Sequence, residues 1–222
     1  MDIALLGGTG DIGEGLALRW AQDTDHTVVV GSRDSEKATR RADDYGTLLG
    51  ERGVEHNVVG MGNEAATARA DVVVLSVPPE YAISTVETVS DGLTSDDVLV
   101  SPAVSMDRDG AGFHATPPED GSVAQAIAAV APEDVPVVGA FQSLAAGALS
   151  DLDTELRTDT VVTGDDPEAT ALVRSLADAI EGLRALEGGP LAVTALVESV
   201  TPLLINLAMN NEGMHDLGVR FQ

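Results

Sequence analysis

The chain contains no cysteine, which excludes disulfides, thiol catalysis and cysteine-based metal sites. It is also short of positive charge. Its 12 basic residues, among which Lys37 is the sole lysine, stand against 37 acidic ones, giving a formal charge of -25 over 222 residues. Nucleic acid is a poor partner for such a chain, because phosphate backbones are bound by clustered Lys and Arg. Long unbroken apolar runs are missing too. The longest, Val72 to Pro79 and Pro202 to Ala208, are too short to span a bilayer, so no membrane partner is expected. Residues 1 to 6 read as a strand without a basic leader, and the expectation is a cytoplasmic protein.

An acidic excess of this size can signal disorder, yet 44% hydrophobic residues and clear apolar periodicity predict a folded chain. A folded protein with this charge repels itself in dilute salt, and screening at high ionic strength relieves the repulsion. That points to a halophilic source. The length allows a sizeable core, arranged as one large domain with a smaller appendage.

What is present is concentrated near the start. Asp2 to Leu6 is a short apolar run that feeds into Gly7-Gly8-Thr9-Gly10-Asp11-Ile12-Gly13, followed by the amphipathic Leu16 to Ala21. This reads as a buried strand, a glycine turn and a helix start. Gly8, Gly10 and Gly13 fit G-x-G-x-x-G, in which the first glycine allows the turn, the second admits a pyrophosphate to the backbone, and the third lets helix and strand pack. Phosphates would then rest on free N–H groups at the positive end of the helix.

A second apolar run, Thr27 to Val30, ends in Gly31-Ser32-Arg33-Asp34-Ser35-Glu36-Lys37. An NAD site would place an acid there to hold the ribose 2′-hydroxyl. Here a hydroxyl, a guanidinium and the sole ammonium lie close together, which suits a 2′-phosphate and so favours NADP. The alternative is an ordinary polar loop in which Lys37 only solvates a helix.

Further on, Ser35 can cap a helix to about Arg52, Val54 to Val59 is a candidate third strand, and Asn63 can cap a short alanine helix. Asp71 to Val77 is the strongest strand, and its continuous apolar residues imply burial on both faces in a parallel sheet. Pro78 and Pro79 end it. In a doubly wound sheet Ser76 to Pro79 and the following helix, including Ile83, would border the adenosine or nicotinamide ribose side of the cofactor, unless the prolines merely turn the chain. Asp97 to Ser101 is a fifth strand, Met106 to Ser122 a long loop without periodicity, and Ser122 to Ala131 a helix. Pro136 to Ala140 is a sixth strand, running into Phe141 to Gly147. Beyond Asp151 the pattern gives a strand at Thr160 to Gly164, a helix from Pro167 to Gly182, a break at Gly188 to Pro190, and a helix from Ala192 to about Asn211 with a broad apolar face. Such a face packs on the core or on another subunit, and a homodimer or higher homo-oligomer is expected.

Catalytic constellations are absent. His26, His56, His114 and His215 are scattered without a His or Glu at ligand spacing, and no Gly-x-Ser-x-Gly occurs. Neither a metal site nor a catalytic side-chain set is predicted. Glu198, flanked by apolar residues, is either a buried acid with a role or a partner for nearby backbone. Hydride transfer between two bound cofactors needs no nucleophile or metal, because the protein supplies orientation and excludes water. A sheet end built from small residues such as Ser143, Leu144, Ala145 and Ala146 would suffice.

Several stretches together resemble the NADPH-dependent coenzyme F420 reductases (F420H2:NADP oxidoreductases) of archaea and some bacteria. They are Ala4 to Gly10, Val29 to Arg33, Val100-Ser101-Pro102, Gly189-Pro190-Leu191, Leu196-Val197-Glu198-Ser199 and Gly213 to Phe221, in that order along the chain. The last three are the more specific. The resemblance implies an α/β fold: a doubly wound Rossmann sheet, mostly parallel, over residues 1–150, and a small C-terminal α-rich domain over 151–222 that completes a deazaflavin cleft. It also implies that Thr9, Gly10, Asp11 and Ile12 hold the pyrophosphate of NADP, that Ser32, Arg33 and Lys37 clamp its 2′-phosphate, and that Ala146 lies by the nicotinamide and Leu217 beside coenzyme F420. Gln142 stands where family members often have His, and Pro79 where an aromatic residue is common. The function expected is reversible hydride transfer between NADP(H) and F420. Alternatives are an NADP-dependent reductase of a small imine or carbonyl compound, and an NADP-sensing protein without turnover.

Overall fold

The structure, a computed structural model, describes residues 1–222. The first half builds five parallel strands and their crossovers. Strand β1 (Asp2–Leu6) leads into helix α1 (Asp11–Asp23), β2 (Thr27–Ser32) into α2 (Ser35–Glu51), and β3 (Val58–Gly62) into the short α3 (Asn63–Thr67). Strand β4 (Val72–Leu75) is followed by α4 (Pro79–Val89) and β5 (Val98–Ser101). Next come a hairpin of β6 (Met106–Asp109) and β7 (Gly112–Ala115), then α5 (Val123–Val130), β8 (Val137–Gly139) and α6 (Ala146–Ser150). The chain closes with β9 (Thr158–Gly164), α7 (Pro167–Asp178), β10 (Leu183–Gly189), α8 (Thr194–Glu198) and α9 (Val200–Asn210).

Eight strands form one sheet in the order β10-β9-β8-β5-β4-β1-β2-β3, and every pairing in it is parallel except β8 with β9. This is a doubly wound sheet with a C-terminal helical region. Alternate residues of a strand face opposite sides. Ile3 and Leu5 accordingly join a core of 30 buried residues on one face, while Ala4 and Leu6 join one of 19 on the other. Burial on both faces is what the unbroken Val72–Leu75 run required. The larger core centres on Trp20, whose ring meets Phe141 edge-on at 5.6 Å and whose indole N–H donates to the Leu176 carbonyl at 2.8 Å. Helix α1 is thereby tied to the end of β8 and to α7.

Several elements differ from the sequence expectation. Met106 to Ser122 is not a plain loop, because it contains the β6–β7 hairpin. Its residues Asp107, Arg108 and Asp109 are exposed, so no apolar alternation marked them. Asn206 of α9 receives the Phe113 N–H at 2.8 Å and donates to the Phe113 carbonyl at 2.8 Å, acting as a strand-like partner from a distant helix. Residues 183 to 189, read only as chain between two breaks, form the edge strand β10. The third strand begins at Val58 rather than Val54. The cap of α2 is Asp34, whose carboxylate accepts the Lys37 N–H at 3.1 Å, and not Ser35.

The final helix divides at Ser199 into α8 and α9. Even so, the helical run from Leu191 to Asn210 is 20 residues long and, by length and composition, apolar enough to cross a bilayer. Counting unbroken apolar stretches missed this, because uncharged Thr194, Ser199, Thr201 and Asn206 interrupt them. Within the protein the run buries Leu191, Thr194, Val197, Glu198 and Pro202 and leaves Leu196, Leu203, Leu207 and Met209 exposed.

Candidate functional site

The order of strands reverses direction between β1 and β4, and the crevice beyond their carboxyl ends is where doubly wound sheets bind ligands. The glycine turn leaves β1 at that point. Gly7 has φ +83°, and a Cβ there would lie 2.7 Å from the Ser76 carbonyl oxygen. The left-handed residue of the turn is therefore Gly7, one position before the glycine to which the motif assigned that part. Gly8 instead packs under the sheet, its would-be Cβ 2.8 Å from the Leu5 carbonyl oxygen. Gly13 is needed for packing, since a Cβ would lie 2.6 Å from the Gly8 Cα.

Gly10 differs from its neighbours. The nearest atom to its would-be Cβ is the Gly7 oxygen at 3.4 Å, so the fold places no demand for glycine there. A methyl group would instead occupy the crevice. Gly10 also stands at the cap of α1 without offering a side-chain bond, which leaves the first N–H groups of that helix for an outside acceptor. Tyr45 braces the turn from beneath, donating from its hydroxyl to the Gly8 carbonyl at 2.9 Å. Burial and the nearby Glu14 carboxylate raise the Tyr45 pKa well above the ordinary tyrosine value, so the hydroxyl stays a donor.

A cavity of about 430 Å³ opens above this turn. It gathers Thr9, Gly10, Ser32, Arg33, Lys37 and Ser76 from the predicted set. Asp11 and Ile12 follow at the start of α1, and Gly8 lies beneath the turn. The cavity also draws on Gly7 of the turn, on Val77 and Pro78, and on Tyr81 and the hydroxyl face of α4 formed by Ser84, Thr85 and Thr88, all within stretches expected near the cofactor. Asn63, read only as a helix cap, is the lining residue that sequence reasoning missed. Tyr81 holds the Arg33 guanidinium over its ring at 5.4 Å from the centroid. An aromatic residue thus does stand near Pro79, two positions later and still within the first turn of α4.

Seven of the arginines form ion pairs with carboxylates, among them Arg41 with Glu14 at 2.9 Å and Arg69 with Asp2 at 2.7 Å. Arg33 and Lys37 form none, although 37 acids are available. Two cations facing a cavity without counter-charges give it a positive potential that attracts anions.

Ala146 and Leu217 are brought together elsewhere. Both line an apolar cavity of about 440 Å³ between the Ser143–Ala146 stretch, α9 (Thr201, Leu204, Ile205, Ala208) and Met214 to Leu217. Two residues before the first lining residue, Ser143, stands Phe141, a buried residue with φ +71°, whose N–H donates to Thr160 Oγ1 at 2.9 Å. A bulky residue in the left-handed region stores backbone strain, and such strain is common where a loop is held for function. Pro79 and Ile83 lie in neither cavity. They border a third space of about 610 Å³ beside the hairpin and α5, with Ser105, Met106, Thr116 and Val123.

Gln142 also points away from the apolar cavity, donating from its amide to the Ser101 carbonyl at 3.0 Å inside the sheet end. Glu198 is buried and accepts the N–H groups of Val123 at 3.1 Å and Ala124 at 3.3 Å, closing the start of α5. Burial pushes its pKa up to about 7 against the pull of those two donors. It is a bonded structural acid facing neither cavity.

The sequence of this chain matches the family model described as NADP oxidoreductase coenzyme F420-dependent over residues 2–105. It is 40% identical over 210 residues to the F420-dependent NADP reductase of Methanocaldococcus jannaschii, covering 93% of this chain and 92% of that one. The chain belongs to the F420-dependent NADP reductase family. The reductase of the same name from Methanothermobacter thermautotrophicus is 36% identical, with 99% of this chain and 94% of that one covered. The family's fold is shared by a solved structure from Arthrobacter sp. FB24 at a TM-score of 0.81 and 22% identity, covering 100% of this chain and 99% of that one. The glycine turn and the unpaired cations lie within the stretch that the family model matches, whereas the apolar cavity is walled by residues beyond it.

Proposed function

We propose that this chain passes a hydride reversibly between NADP(H) and the deazaflavin coenzyme F420. The observation that carries the reading is the unpaired Arg33 and Lys37 at the end of β2, beside a glycine turn, in a chain whose family is named for these two cofactors. The balanced reaction is NADPH plus F420 plus a proton giving NADP⁺ plus F420H2. The two cofactors supply the redox chemistry, the nicotinamide C4 giving or taking the hydride that the deazaflavin exchanges.

The residues present fit these groups. Thr9 and Gly10, with the backbone N–H groups of Asp11 and Ile12, would receive the pyrophosphate on the open side of the turn. Ser32, Arg33 and Lys37 would receive the 2′-phosphate through a hydroxyl and two charges. Ser76 would fix the strand end below the nucleotide, its hydroxyl already bonded to the Leu6 carbonyl at 3.0 Å. Pro79 and Ile83 would support α4 on the side facing the hairpin. Ala146, without a projecting side chain, would let a ring approach its backbone, and Leu217 would press on the deazaflavin. We assign residues 1–150 to the nucleotide and 151–222 to completing the deazaflavin cleft. No acid or base is required for the hydride step, so the protein acts by orientation and by excluding water.

The same reading takes the protein as cytoplasmic, without a nucleic-acid or membrane partner, working in high salt and self-associating. Helix run 191–210 has one charged residue, Glu198, and it is buried. Between two copies each carrying a charge of -25, this uncharged face is where contact costs least in repulsion. A second copy is favoured over a bilayer because Glu198 and Asn206 already tie the helices to α5 and the hairpin.

The test of the chemistry uses NADPH carrying deuterium at both positions of nicotinamide C4. Transfer of the label to the reduced deazaflavin supports direct hydride passage, and hydrogen taken only from solvent contradicts it.

A further inference from the structure

Asp159 on β9 is almost wholly buried, at 1% exposure, and the hydride-transfer scheme does not use it. Arg184 is its register partner on β10. The two form a two-pronged pair, Arg184 Nε to Asp159 Oδ1 at 2.9 Å and Nη2 to Oδ2 at 2.6 Å. The guanidinium beside it, together with a backbone donor, holds the Asp159 carboxyl below its usual range.

That backbone donor belongs to the end of the chain. The Phe221 N–H donates to Asp159 Oδ2 at 2.7 Å, and Arg184 Nη2 donates in turn to the Phe221 carbonyl. One strand residue earlier, Thr158 Oγ1 donates to the Val219 carbonyl at 2.9 Å, and the Asp159 N–H donates to the same oxygen at 2.7 Å. Gly218 approaches so closely that a Cβ would overlap Thr158 Oγ1. The last residues thus form a strap fastened to the start of β9 and to Arg184 of β10. Immediately before it, Met214 to Leu217 wall the apolar cavity.

We propose that Asp159 and Arg184 are positioning residues, a latch that fixes the C-terminal strap and thereby the Leu217 wall of the deazaflavin cavity. Neither residue lines that cavity, so their effect on catalysis passes through the strap. The inference rests on the reading of the cavity as the F420 site. A charge-assisted, two-pronged pair specifies geometry as well as attraction, so loosening it lets the wall move. The nucleotide cavity is built from β1, β2 and α4 and should be indifferent to the change.

The test compares the full-length wild type with Arg184→Gln, Arg184→Lys and Gly218→Ala. The last variant pushes the strap off Thr158 while leaving the ion pair intact. For Arg184→Gln and Gly218→Ala the expected result is a rise of about tenfold in KM for F420, with KM for NADPH changed by less than about twofold. Arg184→Lys should recover part of the loss, since it keeps the charge but not the fork. Hydrogen exchange should show the Phe221 and Asp159 amides less protected in both damaging variants, with α1 unchanged. An unchanged KM for F420 alongside faster strap exchange would overturn the latch. Equal rises in both KM values would overturn it as well, because they indicate general damage. A wild type that does not turn over F420 would instead overturn the functional reading, and the latch's role with it.

Discussion

The Arg33 guanidinium carbon lies 5.4 Å from the centre of the Tyr81 ring, joining the end of β2 to the first turn of α4 across the cavity above the glycine turn. No carboxylate competes for that guanidinium, so the ring orients the cation while leaving its charge available to a phosphate. A cation–π contact at a partly exposed site contributes about 1 kcal/mol. Tyr81→Ala should therefore raise KM for NADPH roughly fivefold. KM for NADH should stay near the wild-type value, since NADH has no 2′-phosphate for Arg33 to hold. Steady-state kinetics with both nucleotides checks this, and equal changes would refute the ordering role of Tyr81.

Two glycines of the same turn should behave oppositely. Gly13→Ala forces a Cβ to 2.6 Å from the Gly8 Cα, and thermal unfolding should show a clear drop in Tm. Gly10→Ala meets nothing closer than 3.4 Å, so its Tm should match the wild type within a degree or so while NADPH affinity falls about tenfold or more. A Gly10→Ala variant with normal affinity would show that no phosphate approaches that backbone.

Arg19 connects α1 to the chain that leaves the apolar cavity. Its buried guanidinium donates to the carbonyls of Leu149, Ala148, Asp151 and Thr154 at 2.9, 3.0, 2.6 and 2.9 Å. Desolvation lowers its pKa from the ordinary arginine value, yet the four oxygens keep it useful as a cation. Arg19→Met leaves those carbonyls without their donor and should cost about 3 kcal/mol. Denaturant unfolding in molar KCl measures it; a loss under about 1 kcal/mol would show that water replaces the guanidinium freely.

Glu198 gives stability a pH dependence of calculable sign. Its folded pKa of about 7 lies above the ordinary value of 4.5, so the folded state holds the proton more tightly than the unfolded chain. The contribution is full below about pH 4.5 and is lost as the pH rises through about 7, amounting at most to about 3 kcal/mol. Glu198→Gln removes that titration. Relative to the wild type, the variant should gain Tm steadily between pH 5 and pH 8, whatever its offset at pH 5. A gap that stays constant over that range would mean the carboxyl titrates near its ordinary value.

How much of this was legible in the sequence depended on whether a residue's partners were local. Val72 to Leu75 announced a central strand because burial on both faces demands an unbroken apolar run. Gly10, Ser32, Arg33 and Lys37 could be read together because one βα unit and the next strand bring them together. Tyr81 and Tyr45 could not, since their partners Arg33 and the Gly8 carbonyl are reached only across the folded sheet. The hairpin at 106–115 was hidden for the same reason, being held by Asn206 rather than by an apolar face of its own. Strand β10 did carry a signal, with Leu183 and Ala185 buried and Arg184 exposed, but the glycines at its end masked it. The apolar cavity was half legible. Ala146 and Leu217 came from the resemblance, while the strap that sets Leu217 depends on an ion pair between strands that no local pattern marks.

The measurement that bears most directly on the account follows the visible absorbance of oxidised F420 after mixing with this protein and either NADPH or NADH in molar KCl. Rapid bleaching with NADPH, at least about tenfold slower bleaching with NADH at equal concentration, and loss of that preference in Arg33→Ala are the results expected. No bleaching with NADPH, or equal rates with the two nucleotides in the wild type, would contradict it.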